Sequence, residues 1–168
     1  GSNFTNNDAS AGSGSGGAII SSGTLTVSDS SFTGNLASRA GGAIEIANGA
    51  STTLNNLTAS NNEVLVSPGN GGVLHITGPV DATVNGGHFS SNTAGQEGGA
   101  LWNNAGTLTV NGGTYVNNIG AGADSDDGGG ALHNQGGTLI VNGATIEFNS
   151  ATGAAGSGGG ILNDGGTL

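Results

Sequence analysis

The chain has 168 residues, room for one domain over 1–168, and 37 glycines without the every-third-residue spacing of collagen. Arg39 is the single Lys or Arg against eleven Asp and Glu, a net charge of −10, which excludes nucleic-acid binding and attachment to an anionic membrane surface. The absence of Cys excludes disulfides, thiolate nucleophiles and Cys-ligated zinc, and no apolar run is long enough to span a membrane.

From the N-terminus onward, an apolar residue recurs three positions before an Asn: Phe4/Asn7, Phe32/Asn35, Ala59/Asn62, Phe89/Asn92, Tyr115/Asn118 and Ile146/Asn149. Each of these is followed by a glycine pair, a small residue and an aliphatic one. The series begins at Gly16-Gly17-Ala18-Ile19 and Gly41-Gly42-Ala43-Ile44 and ends at Gly158-Gly159-Gly160-Ile161. Both series keep a mean period of 28.4 residues. Two independent motifs with one period define a solenoid of six coils. A third segment, Thr24-Leu25-Thr26-Val27 and its equivalents, precedes the apolar position by a constant five residues, as from Val27 to Phe32. The interval from Asn to GlyGly instead runs 9, 6, 9, 6, 11 and 9 residues, so that arc is loop and the others are stacked strands.

Each repeat shows three short alternating segments and no helical period, which predicts an all-β fold: a right-handed parallel β-helix with three short strands per coil. Alternation turns Ile19, Leu25, Val27 and Phe32 inward, with the small column Ser30, Gly87, Gly113 and Ala144 beside them. Coils rising ~4.8 Å each make a rod ~29 Å long. Phe32, Phe89 and Tyr115 are expected to stack in the core, interrupted at Ala59 and Ile146. Asn35, Asn62, Asn92, Asn118 and Asn149 are expected to form an amide ladder at one turn, itself in left-handed geometry, with Asn55, Asn85, Asn111 and Asn142 as a second.

The GlyGly-Ala-Ile and Phe-x-x-Asn motifs resemble the repeats of chlamydial polymorphic outer-membrane proteins, and more broadly the parallel β-helix repeats of large bacterial surface proteins. The resemblance extends over essentially the whole chain. It implies an exported passenger, adhesin or surface component, and hence an extracellular or cell-surface location.

Neither end carries an amphipathic helix that would cap a solenoid, and the chain stops three residues short of six whole coils. This predicts either a stretch of a longer rod or copies stacked end to end, so the first expected partner is the chain itself.

Three candidate sites stand out. One outward column reads Ile20, Glu45, His75, Trp102, His133 and Leu162, a mixed chemistry suited to contact with a glycan or a host surface. Its two histidines lie two coils apart, too far to share one metal. Asp124, Asp126 and Asp127 in the longest loop are a fragment of a calcium site, weighed against a simply solvated acidic loop; no other cofactor is expected. Thr26, Thr53, Thr83 and Thr109 form an outward Thr column of the kind that contacts ice, although Asp81 in the neighbouring column and Ile140 break its regularity. A phosphate loop without Lys, no identifiable Ser-His-Asp set and no demonstrable carboxylate pair argue against an enzyme. The sequence therefore predicts a structural or adhesive extracellular β-helix; the alternatives are a monomeric module binding glycan, host surface or ice, and third a polysaccharide-active enzyme.

Overall fold

A computed structural model describes residues 1–48, 51–65 and 68–168. It is all-β: the strands stack in parallel into coils, and no helix occurs among the described residues. Among the described residues five coils carry four strands each, rather than the expected three, and the last carries three; the strands assemble into four parallel sheets. The first sheet follows the glycine pairs: Ile19–Ser21, Ile44–Ala47, Leu74–Thr77, Leu101–Asn103, Leu132–Asn134 and Ile161–Asn163. The second holds Leu25–Ser28, Thr52–Asn55, Ala82–Asn85, Thr107–Asn111 and Thr138–Asn142. The third holds the aromatic column, from Asn3–Thr5 and Ser31–Thr33 to Thr145–Glu147. The fourth is made of two-residue strands just after the ladder Asn, such as Leu36–Ala37, Glu63–Val64 and Thr93–Ala94. Two residues are too few to show an alternation, which is why the sequence pattern does not reveal them.

Register is one coil per repeat throughout. Ile44 pairs with Ile19 and Leu74, and Thr53 with Thr26 and Thr83. Glycine pairs make the entry to the first sheet. The first member takes a left-handed φ of 60–69° at Gly41, Gly71, Gly98 and Gly129. The second sits where a Cβ would strike the backbone carbonyl of the next coil, Gly130 in the case of Gly99.

The core is a single column of inward side chains, among them Ile44, Ile46, Leu54, Val84, Phe89, Leu101, Leu108 and Leu132, all fully buried. Phe4 lies flat on Phe32 with ring centroids 4.6 Å apart, and Phe89 on Tyr115 at 4.7 Å, each at about one strand spacing. Between them Ala59 leaves a gap in the stack. The inward position two residues earlier compensates. It is Ser30, Gly87 or Gly113 where the coil has an aromatic ring, but Leu57, fully buried, where it has Ala59. A Cβ on Gly87 would already press on the Phe89 ring. Bulk has exchanged places within one coil at nearly constant volume.

The ladder of Asn7, Asn35, Asn62, Asn92, Asn118 and Asn149 closes the turn between the third and fourth sheets. From Asn7 to Asn118 each Nδ2 donates to the Oδ1 of the ladder Asn in the following coil at 2.8–2.9 Å. It donates as well to the carbonyl of the preceding coil, as from Asn92 to Ala59 at 3.0 Å. Each Oδ1 in turn also accepts the backbone N–H of the preceding ladder residue. Asn35, Asn62, Asn92 and Asn118 are fully buried with both amide hydrogens donated and both lone-pair sites filled. The left-handed residue of this turn is the one before the ladder, not the ladder Asn itself: Asn6, Gly34, Asn61, Ser91, Asn117 and Phe148. Holding the following Asn inward under its neighbours requires the backbone to reverse one position earlier. A second ladder runs through Asn55, Asn85, Asn111 and Asn142 at 2.8–3.0 Å, and a third links Asn103, Asn134 and Asn163.

Two variants test this packing. Asn92→Ala leaves the buried Asn62 backbone N–H without its partner and removes one bond each from the Asn62 Nδ2, the Ala59 carbonyl and the Asn118 Oδ1, and is expected to destabilise the fold by about 3 kcal/mol in denaturant unfolding. Leu57→Gly opens a cavity at a cost of about 3 kcal/mol, and Ala59→Phe overfills the coil at a cost of about 2 kcal/mol. Combined, they rebuild the pattern of the aromatic coils and are expected to recover about 2 kcal/mol of the summed loss; strict additivity would contradict the exchange of bulk.

Candidate functional site

The column of Ile20, Glu45, His75, Trp102, His133 and Leu162 is continuous in register along the first sheet. Its side chains point away from the core, yet Glu45, His75, Trp102 and His133 are no more than 5% exposed. The cause is the variable arc. Loops between the fourth and first sheets fold back over this face, so a column that reads as an outer surface becomes the floor of a covered groove.

Loop length shapes that groove. The intervals after Asn62 and Asn118 are long, and the interval after Asn92 between them is short. The first long interval contributes Pro68 and Asn70, the short one Gln96 and Glu97, and the second long one Asp124, Asp126 and Asp127. Together with Arg39, His75, Thr77, Trp102, Asn104 and Gln135 they line a cleft of about 440 Å³. Arg39, Glu97 and Asn70 lie on the arc whose length drifts, where the repeat gives no column to follow. The signal that marks them is the drift itself.

At one end of the cleft the buried Glu45 carboxylate receives Arg39 Nη2 at 2.8 and 3.0 Å and the Thr77 hydroxyl at 3.0 Å. Thr77 Oγ1 is also 3.1 Å from His75 Nδ1, which itself lies 3.8 Å from Glu45. Burial pushes the His75 pKa down to about 4, against the pull of Glu45. His75 is therefore a neutral ring at pH 7, bridged to the carboxylate through a threonine.

The middle of the floor is a stack. The His75 and Trp102 rings are 4.3 Å apart and nearly parallel, and His133 follows at 6.3 Å. With both faces of Trp102 covered, a sugar ring has no exposed indole face to lie on, and only the indole edge borders the cleft. That edge donates from Nε1 to Glu97 Oε2 at 2.7 Å, and His133 Nε2 lies 3.9 Å from the same oxygen. Burial raises the Glu97 pKa to about 7; the Trp102 hydrogen bond opposes the rise, while Asp127, Asp126 and Asp164 add to it. Burial lowers His133 to about 4 although the same three aspartates pull it upward.

Asp124, Asp126 and Asp127 form the far wall. Asp126 is exposed, whereas Asp127 is buried and its Oδ2 accepts the Asp124 backbone N–H at 3.0 Å. Among the described residues no three His, Cys, Asp or Glu side chains are gathered as ligands for one metal ion. The Thr column lies on the second sheet, with Thr26, Thr53, Thr83 and Thr109 in register and Ile140 continuing it. The structural columns lie apart from the cleft, with Phe32, Phe89 and Tyr115 wholly inside and the Asn35-to-Asn149 ladder at the opposite turn of the fourth sheet.

Fold and groove together define a parallel β-solenoid repeat protein with a loop-walled lateral cleft. Within that class, residues 29–47 match the family model of the Chlamydia polymorphic membrane protein repeat. That stretch carries Phe32, Asn35, the Gly41-Gly42 pair and the strand Ile44–Ala47, whose equivalents recur in the other coils. Comparison with curated proteins and with solved structures gave no match.

The charge states of the floor set an expected pH response. Glu97 keeps its proton to a higher pH folded than unfolded, so its contribution is full at low pH and is lost as pH rises from about 4.5 to 7. The two histidines do the reverse, contributing above pH 6.5 and losing that contribution as pH falls toward 4. Two histidines outweigh one glutamate, so stability is expected to rise from pH 4.5 to 6.5 and slip slightly from 6.5 to 7. Emission of Trp102, the only Trp, is expected to titrate with a midpoint near 7, and Glu97→Gln, which keeps an acceptor for the indole, should abolish that step.

Proposed function

We propose that the chain is a structural and adhesive element of a bacterial surface: a rigid β-solenoid rod that continues axially and presents a lateral cleft to a partner. The observation that carries this reading is the unbroken one-coil register of all four sheets with its Asn ladders. Every coil offers the next the same pattern of strand edges, amides and apolar side chains. At the first coil a shallow cavity of about 320 Å³ opens among Phe4, Ile19, Leu25 and Val27, an apolar surface suited to a further coil of the same chemistry. Such a coil can be covalently joined or belong to another copy, and the head-to-tail contact generates an open fibre. The match to a polymorphic membrane protein repeat supports a place at the cell surface, outside the cytoplasm. A net charge of −10 supports lateral separation of rods, since like-charged sides repel while axial faces pair.

A binding role on the same rod is favoured by the cleft, whose floor holds ionisable groups that core packing does not require. Neither role calls for catalysis. Electron microscopy of the purified chain at neutral pH is expected to show rods longer than the ~29 Å of six coils, with a meridional fibre spacing of ~4.8 Å. A population of isolated short particles that stays monomeric on concentration would leave the lateral binding role and remove the fibre.

A further inference from the structure

The acidic half of the cleft is uncompensated. Glu97, Asp124, Asp126 and Asp127 line it together, and the single Lys or Arg of the chain, Arg39, is held on Glu45 at the other end. Asn70 lines the same cavity; it is 6% exposed, and its Oδ1 has no hydrogen-bond partner. Beneath the floor His133 is fully buried, its Nε2 3.9 Å from the Glu97 carboxylate. The cleft is thus lined by four carboxylates with the only Arg tied up at its far end, and the complement of such a lining is a ligand that donates hydrogen bonds and carries positive charge.

The spread of these groups narrows the choice. Among the described residues no three of the ionisable side chains converge on one point, as a metal ion requires, whereas the carboxylates extend along a cavity of about 440 Å³. Charges distributed along a groove suit a ligand whose donors are spaced along a chain. A second copy of residues 1–168 does not supply them, because the only Lys or Arg there is Arg39. We propose that the cleft is a docking site for a basic segment of a partner protein, whose Arg or Lys side chains enter between the Asp124–Asp127 loop and the Trp102 edge. This rests on the binding half of the function proposed above and names the chemistry of the partner.

The position of Trp102 makes the test direct. A tetra-arginine peptide is titrated into the full chain at pH 7.5, followed by Trp102 emission and by calorimetry. Saturable binding is expected, weakening as salt rises. Asp126→Asn is expected to weaken it at least tenfold. Glu147→Gln, which removes one carboxylate from the third sheet away from the cleft, is expected to change it less than twofold. Asp126 is exposed, so its variant folds and is decisive even if Glu97→Gln, expected to act in the same direction, is unstable. Equal weakening by Glu147→Gln would reduce the effect to net charge and overturn the proposal. So would a silent Trp102, spermine binding as tightly as the peptide, or displacement of the peptide by stoichiometric calcium chloride. These measurements concern an isolated rod, so their failure leaves fibre formation untouched, and the absence of fibres leaves peptide binding untouched.

Discussion

Parallel pairing at one residue per coil is the constraint on which everything else in this molecule depends. It sets each side chain directly above its equivalent at one strand spacing, so every column must tolerate its own chemistry repeated. Amides do so by donating and accepting along the axis, and flat rings do so by stacking. Carboxylates do not, because like charges directly opposite repel. Among the registered strand pairs no acid lies opposite another: Glu63 has Leu36 and Thr93 as neighbours, and Glu45 has Ile20 and His75. The acidic residues that do cluster are in the loop over the cleft, where the register no longer binds them.

The same constraint explains why the cleft exists at all. Registered strands leave little freedom in length, so the widest variation falls in the arc after the ladder Asn. A short arc between two long ones leaves a notch, and the notch is the cleft above the buried column of the first sheet. Placing Glu97 in the short arc puts a carboxyl beside Trp102 with little water around it, which is the physical origin of its displaced titration.

Much of the architecture is legible in the sequence because repetition multiplies weak signals. Six occurrences of GlyGly and six of apolar-x-x-Asn give the period, the parallel stacking and the inward columns. The two-residue strands of the fourth sheet escape because they carry no alternation of their own. The left-handed position precedes the Asn because turn geometry depends on where the side chain must reach, which the pattern alone does not encode. The column through Glu45, His75, Trp102 and His133 is readable as a column, but its burial is not. That depends on loops that share no period with the strands covering nothing else, and an outward residue under a loop looks in sequence like any surface residue. For the same reason Arg39, Asn70 and Glu97 gain meaning only once the coils are stacked.

The Asn ladders have a direction. In the chain from Asn7 to Asn149 every amide-to-amide bond is donated toward the C-terminal coil, whereas in that from Asn142 to Asn55 every one is donated toward the N-terminal coil. The two axial faces of any coil are therefore chemically different, one presenting a donor where the other presents an acceptor. A coil approaching upside down meets donor with donor and acceptor with acceptor. Any stacking of further coils on this chemistry would be vectorial, with an inverted coil disfavoured at either face.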